Sequence, residues 1–270
     1  MSRGAILFAF NNPKYNYYAM AKIAARRINH FLGLPVTLVT DQHSFPPDET
    51  HAWHKVIKVI PDKNNSKDRH VWINKGRYQA FELSPYEETI LLDVDYIVNS
   101  DKLLKTFETY DDFCCHANAH FLMYPDEEPE LLSAHSYQTL WATAVTFRKT
   151  KRAKQIFDCL EMVQKNYDHY ANLYGFLNSG YRNDYGLTIA LRIVNGHSMV
   201  SPRDIIPWDL VHVGKYTQVF ANNTDQFNTE FTVMTDTQYR NKTRKEYITV
   251  KDMDFHMFDK DIFMSITSNE

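Results

Sequence analysis

The chain has 270 residues, 44% apolar and 14% aromatic, with 30 Lys and Arg against 33 Asp and Glu and a net charge of −3. That length can bury a sizeable core in one domain, and no stretch reaches the roughly 18 consecutive apolar residues that a bilayer crossing needs. The apolar run before Asn11 is too short for a secretory signal, so a cytoplasmic protein that does not engage membranes is expected.

Cys114 and Cys115 are adjacent and Cys159 stands alone, which fits neither a disulfide framework nor zinc-ligand spacing. In that compartment the sequons at Asn64, Asn222 and Asn241 are chance matches. Charge is unevenly spread: residues 55 to 77 carry seven Lys or Arg, "RKTKRAK" (148–154) and "RNKTRK" (240–245) are basic, and 82–130 is mostly acidic. Solvated helix faces commonly produce such clusters, and a polyanionic ligand is permitted.

"AILFAF" (5–10) predicts a buried strand that stops at Asn11 and Asn12. Apolar residues at helical spacing from Met20 to Leu32 predict a helix ended by Gly33, and "PVTLVTD" (35–41) predicts a second strand. The start therefore reads as a βαβ unit. "KVIKVIP" (55–61) offers a third strand, "WINKGRYQAFELS" (72–84) a helix, and "TILLDVDYIV" a strand running into and out of Asp93 and Asp95. A short helix over 101–110 follows, then strands over 111–117 and 139–149, a long helix over 151–174, and a helix over 183–196 capped by Asn183 or Asp184. The alternation predicts an α/β fold, a mixed and mainly parallel sheet flanked by helices in a single domain, with a less regular C-terminal part.

In an extended strand Asp93 and Asp95 share a face. Two carboxylates that close repel unless a cation lies between them, and their oxygens suit Mg²⁺ or Mn²⁺ shared with substrate phosphates. The other reading of D-x-D is a strand-end turn in which one acid caps the next element. The apolar flanks favour the metal, because an uncompensated carboxylate within a hydrophobic strand is costly.

"LLDVDYIV" preceded by "KGRYQAFELSPYEE" resembles the GT-A class of nucleotide-sugar glycosyltransferases, a Rossmann-like fold with a D-x-D motif. The resemblance follows most of the chain in order. It implies Asp93 on the ribose or the metal, Asp95 on the metal, and His256 of "MDFHMFDK" as the third metal ligand. It also implies nucleotide contacts from Asn11, Asn12, Thr40 and Asp41, and phosphate neutralisation by Lys75 and Arg77, for which a plain basic helix face is the alternative. Asp184 is the expected general base toward an acceptor hydroxyl, with helix capping as its other role; Asp204 and Asp209 look exposed and are set aside. Residues 1–110 would form the nucleotide-binding half and 111–270 the acceptor-side half.

The N-terminal run to Asp41 is similar to small glycosyltransferases encoded by tailed bacteriophages, some of which modify hydroxymethylated DNA bases. DNA is therefore the expected acceptor, with the basic clusters at 148–154 and 240–245 tracking phosphates, although the net charge argues against a duplex binder. A nucleotidyltransferase acting on a sugar phosphate and a non-catalytic nucleic-acid-binding protein are the alternatives. The first normally has a Gly-rich phosphate loop, and this chain has only eight glycines.

Overall fold

The computed structural model describes residues 1–46, 53–60, 66–67, 70–71, 75–109, 112–122, 128–177, 180–198, 200–214, 218–225, 228–239 and 242–266. The chain opens with β1 (Arg3–Phe8) and α1 (Tyr17–Arg27), capped by the Asn16 side chain accepting from Ala19 N at 3.0 Å. A π turn over Ile28–Leu32 ends on Gly33, whose φ of 64° suits a residue without Cβ. β2 (Val36–Thr40), β3 (Lys55–Lys58) and the small hairpin of β4 (Ser66–Lys67) and β5 (His70–Val71) follow. A 3₁₀ turn over Lys75–Gln79 runs into α2 (Ala80–Leu83), and then come β6 (Glu88–Leu92) and β7 (Tyr96–Ile97). A 3₁₀ turn over Lys102–Lys105 leads into α3 (Thr106–Thr109), β8 (Phe113–His116), β9 (Ala119–Phe121) and β10 (Trp141–Arg148). The rest is α4 (Lys151–Lys165), α5 (Tyr167–Tyr174), α6 (Asn183–Val194), β11 (Leu210–Val213), β12 (Gln218–Asp225), β13 (Asn228–Tyr239), β14 (Lys242–Val250), β15 (Phe255–Met257) and α7 (Lys260–Ile266).

The main sheet has the order β3-β2-β1-β6-β10-β8. β3, β2, β1 and β6 run parallel, and β10 runs antiparallel to both of its neighbours. The fold class is thus the expected one, α/β with a mixed, mainly parallel sheet flanked by helices. Strand alternation sends Ala5 and Leu7 toward α1 (Met20, Ala24, Ile28) and Ile6 toward α4 and α6 (Phe157, Leu187, Ala190). Both faces are covered, so the strands read as continuous apolar runs. Each buried Leu or Ile stabilises by roughly 1.5–3 kcal/mol. A Cβ on Gly4 would clash with the Tyr86 ring, which packs directly on the β1 backbone.

A second sheet, β7-β15-β11-β9, packs on the α1 side, and β12-β13-β14 form an antiparallel meander whose Val233 and Val250 reach the same core. The irregular C-terminal part is therefore mostly strand. The long helix expected over 151–174 is two helices, because Asn166 leaves the helical region (φ −117°, ψ 32°) and its side chain turns back to Met162 O at 2.8 Å. Among the described residues no helix is long and apolar enough to cross a membrane.

The predicted strand through the aspartates is corrected. β6 stops at Leu92, Asp93 N donates to Thr143 O (2.9 Å), and Tyr96 N closes a turn onto Asp93 O (3.1 Å). β7 then joins the second sheet, so the chain changes sheets at Asp93–Val94–Asp95.

Candidate active site

The turn lies beyond the carboxyl ends of parallel β1 and β6, where open α/β sheets bind ligands. Opposite it, β15 pairs antiparallel with β7, bringing His256 across from Tyr96, and Met257 N donates to Asp95 O at 3.0 Å. His256 Nε2 thereby comes to 3.4 Å from Asp95 Oδ1. One ligand atom from each of Asp93, Asp95 and His256 lies within 4.8 Å of the others. The two acids share a side although they are not in a strand, since the turn aims both carboxylates at the same space.

Each acid has its own cation. Arg77, 5% exposed, bonds Asp93 through one amino group and donates to Ala142 O (3.0 Å) through the other. Lys260, at the start of α7, bonds Asp95 and reaches Phe258 O at 3.2 Å. Burial pushes the Asp93 carboxyl up to about 6, with Arg77 pulling the other way and the Asp95 charge adding to the rise. Burial also opposes ionisation of Asp95, but Lys260 and His256 outweigh it and hold that carboxyl below the usual range. Two carboxylates and an imidazole, drawn together from separate segments, make a group able to hold a divalent metal ion.

These groups line a cavity of about 410 Å³. Its walls include Phe8, Phe10, Asn12, Tyr15, Tyr17 and Phe258, and Lys14 and Lys260 add positive charge. Tyr15 and Tyr17 meet edge to face at 6.1 Å, and Lys14 Nζ sits 4.6 Å from the Tyr15 ring centroid. Burial, then the nearby Asp95 charge, pushes the Tyr17 hydroxyl well above its usual range, so it remains a neutral donor.

The other expected residues fall in different places. Asn12 lines the cavity, its side-chain oxygen accepting from Lys14 N (2.9 Å) and Tyr15 N (2.7 Å), which shapes the loop that carries the tyrosines. Asn11 ties that loop to Tyr18 N (2.9 Å) and to Ser44 Oγ (2.8 Å). Thr40 is fully buried and donates to Ala9 O (2.6 Å), while Asp41 accepts from Ser44 N (2.6 Å). Neither Thr40 nor Asp41 lines the cavity, because both secure the ends of β1 and β2. Lys75 opens a 3₁₀ turn and its side chain lies outside the described residues; Arg77 is a buried clamp rather than part of a basic face.

Asp184 does not cap α6. Arg182 holds the N-cap position, and Asp184 Oδ1 instead accepts from Ala142 N (2.8 Å), with Oδ2 3.6 Å from Arg182. Ala142 thus links Asp184, on its N–H, to the Arg77–Asp93 pair, on its carbonyl. Asp209 is exposed as expected, but Asp204 is 3% exposed and held bidentately by Arg152 at 2.9 and 2.7 Å. Reasoning from the sequence missed Lys260, four residues after His256 in "HMFDK", and the tyrosines of "PKYNYY". A lysine at the start of the helix that follows His256 was the available signal.

No family model matches the chain, and no curated protein matches it. Among solved structures the backbone is similar to that of the galactosyltransferase LgtC in complex with donor and acceptor sugar analogs, at 13% identity over 70% of each chain with a TM-score of 0.48. It is also similar to apo mouse xyloside xylosyltransferase 1, at 10% identity over 80% of this chain and 89% of that one, TM-score 0.49. For the glycosyltransferase GlyE of Streptococcus pneumoniae TIGR4 the identity is 12% over 72% of this chain and 43% of that one, TM-score 0.43. Likenesses this distant assign neither activity nor ligand to this chain.

Proposed function

We propose that the protein is a divalent-metal-dependent glycosyltransferase that moves a sugar from a nucleoside-diphosphate sugar to an acceptor hydroxyl. The observation that carries this reading is the convergence of Asp93, Asp95 and His256 within 4.8 Å on an open cavity that also holds two lysines and two tyrosines. A cavity of about 410 Å³ is in the usual range for small-molecule and cofactor sites. Bound there, Mn²⁺ or Mg²⁺ would neutralise charge on the departing diphosphate. Asp93, Asp95 and His256 would hold the ion, Lys260 would pair with a phosphate oxygen, and Lys14 adds charge at the same wall. Tyr15 and Tyr17 offer ring faces to the base. Arg77 fixes Asp93 in place, and Asp184, which holds Ala142 N and Arg182 outside the cavity wall, is the proposed base for the acceptor hydroxyl once an acceptor draws it from Arg182.

The acceptor reading changes with the surface. The 148–154 stretch expected to track DNA phosphates is largely engaged within the protein: Arg148 on Glu88, Arg152 on Asp204, and Lys154 on Asp158. Of the 240–245 cluster, residues 240–241 and the side chains of 242–244 lie outside the described residues. DNA therefore gains no support, and the proposal stands on the donor side.

The test is nucleoside diphosphate release from a panel of nucleotide-sugars with Mn²⁺, set beside EDTA and Asp95→Ala controls. Release of diphosphate lost in both controls establishes the reaction; pyrophosphate in its place would assign nucleotidyl transfer. Absence of both turnover and Mn²⁺-dependent nucleotide binding would remove the metal-site reading.

A further inference from the structure

His256 uses both ring nitrogens. Nε2 faces Asp95 Oδ1 at 3.4 Å, and Nδ1 lies 3.2 Å from His212 Nδ1. The contact follows from strand register: His212 on β11 pairs with His256 on the parallel strand β15, and paired residues on neighbouring strands project to one face. His212 is 2% exposed, walled by Phe121, Trp141 and Phe258 with ring centroids 5.3, 4.7 and 4.8 Å away. The Nδ1 contact supplies the polar partner that a buried imidazole in such a wall otherwise lacks on that nitrogen.

Between two facing Nδ1 atoms there is room for one proton, so one ring donates and the other accepts. If His256 donates, its Nε2 presents a bare lone pair toward the aspartates. If His212 donates, His256 carries its proton on Nε2 and points it at Asp95. A cation held by the two acids together with His256 Nε2 requires the first arrangement.

We infer that His212 is a positioning residue for the metal site: its Nδ1 accepts from His256 Nδ1–H and so holds His256 with the Nε2 lone pair turned to Asp93 and Asp95. This rests on the metal-site reading above. Outer groups of this kind fix the tautomer and orientation of a ligating histidine, and losing one typically weakens metal affinity about 10- to 100-fold. A histidine that merely fills the core would need only its volume.

The experiment is calorimetric titration of Mn²⁺ alone into wild type, His212→Leu and His212→Asn, with Asp95→Ala as the site control. Thermal unfolding of each metal-free protein checks the fold. The Asn carboxamide oxygen falls near the position of Nδ1 and can accept from His256, whereas Leu fills the apolar wall and cannot. Affinity should drop about 10- to 100-fold in His212→Leu and stay within about threefold of wild type in His212→Asn. The nitrogen coupling in the Mn²⁺ electron spin echo spectrum should persist in His212→Asn and fade in His212→Leu. Should the Leu variant fail to fold, His212→Gln takes its place: its oxygen overreaches the Nδ1 position, so it should bind as weakly as Leu is expected to. Equal affinity in wild type and His212→Leu, or equal weakness in the Asn and Gln variants, overturns the inference alone. Wild type that shows no Asp95-dependent Mn²⁺ binding overturns the metal-site reading and this inference with it.

Discussion

The two sheets that meet at Asp93–Val94–Asp95 are built on different terms. In the main sheet, β1, β2 and β6 are five or six residues long, buried nearly throughout and covered on both faces. α1 lies between β1 and β2 in the chain, and those strands pair directly, so a short stretch of sequence specifies the unit. The second sheet is assembled from residues 96–97, 119–121, 210–213 and 255–257, none long enough to specify its own place. Those strands are fixed by the wall they pack on and by the pins at their ends. One pin joins Arg27 to Asn99, Asn99 Nδ2 to Met253 O (2.9 Å), and Asn99 N to Asp254 (2.6 Å). The site straddles the seam, with two acids at the end of a locally specified strand and the histidine on a strand placed from afar. The scaffold can be read locally, and the completion of the site depends on long-range pairing.

The largest effect should come from cutting the seam at its charged centre. Asp95→Ala removes a proposed metal ligand and the partner of Lys260, and on the proposed function sugar-nucleotide turnover should fall about 1000-fold or more, the equivalent of several kcal/mol of transition-state charge stabilisation. EDTA on wild type should reproduce the loss. The metal-free variant should still unfold cooperatively, because the Lys260 side chain, 15% exposed, can turn to water. Turnover within tenfold of wild type would detach the carboxylate pair from the chemistry.

Matched truncations sharpen the contrast. Ile90→Ala in β6 and Met257→Ala in β15 each empty a fully buried position and should each cost about 2–5 kcal/mol in urea unfolding. Only Met257→Ala, next to His256, should also weaken Mn²⁺ binding by the protein that remains folded. Equal effects on Mn²⁺ affinity would mean that the two sheets do not divide the work between scaffold and site.

The same division explains what could be read in advance. β1, α1, β2 and the stop at Gly33 follow from apolar runs, helical spacing and a left-handed glycine, all local signals. Asp93, Asp95 and His256 were legible as residue types, yet the turn between sheets was not, because "LLDVDYIV" carries the same apolar pattern whether it continues in one sheet or crosses to another. Asp204 looked exposed because its partner Arg152 lies 52 residues away. Asp184 looked like a cap, the usual role for an acid at a helix start, until the backbone of β10 supplied a stronger partner. Arg77 read as one of a basic series, and its burial on Asp93 depends on β6 and β10 closing around it. Thr40 and Asp41 were placed at the correct strand end, but side-chain bonds to Ala9 and Ser44 turn them inward.

The smallest predicted effect is also the one with a sign to work out, since the two sheets should respond to pH in opposite directions. In the main sheet, burial works against the Glu88 charge, but bonds from Arg3 and Arg148 prevail and lower its pKa. The stability this contributes is complete above the unfolded value near 4.5 and is lost as pH falls through the folded one. At the seam, burial raises Asp254 to about 6 against the bonds from Asn99 and Ser100. The fold therefore favours the neutral acid: that contribution is complete below the unfolded value near 3.8 and is lost as pH rises through about 6. Relative to Asp254→Asn, which cannot ionise, wild type should lose on the order of 1 kcal/mol between pH 4 and pH 7, discounted because the carboxyl is partly exposed. Relative to Glu88→Gln, wild type should gain as pH rises through the carboxylate range. Urea unfolding of the three proteins at half-unit steps from about pH 2.5 to 7.5 measures both slopes. Parallel curves for Asp254→Asn and wild type would mean that the hydrogen bonds at the seam hold the carboxylate as comfortably as the arginines hold Glu88, and the contrast between the sheets would then be one of connectivity alone.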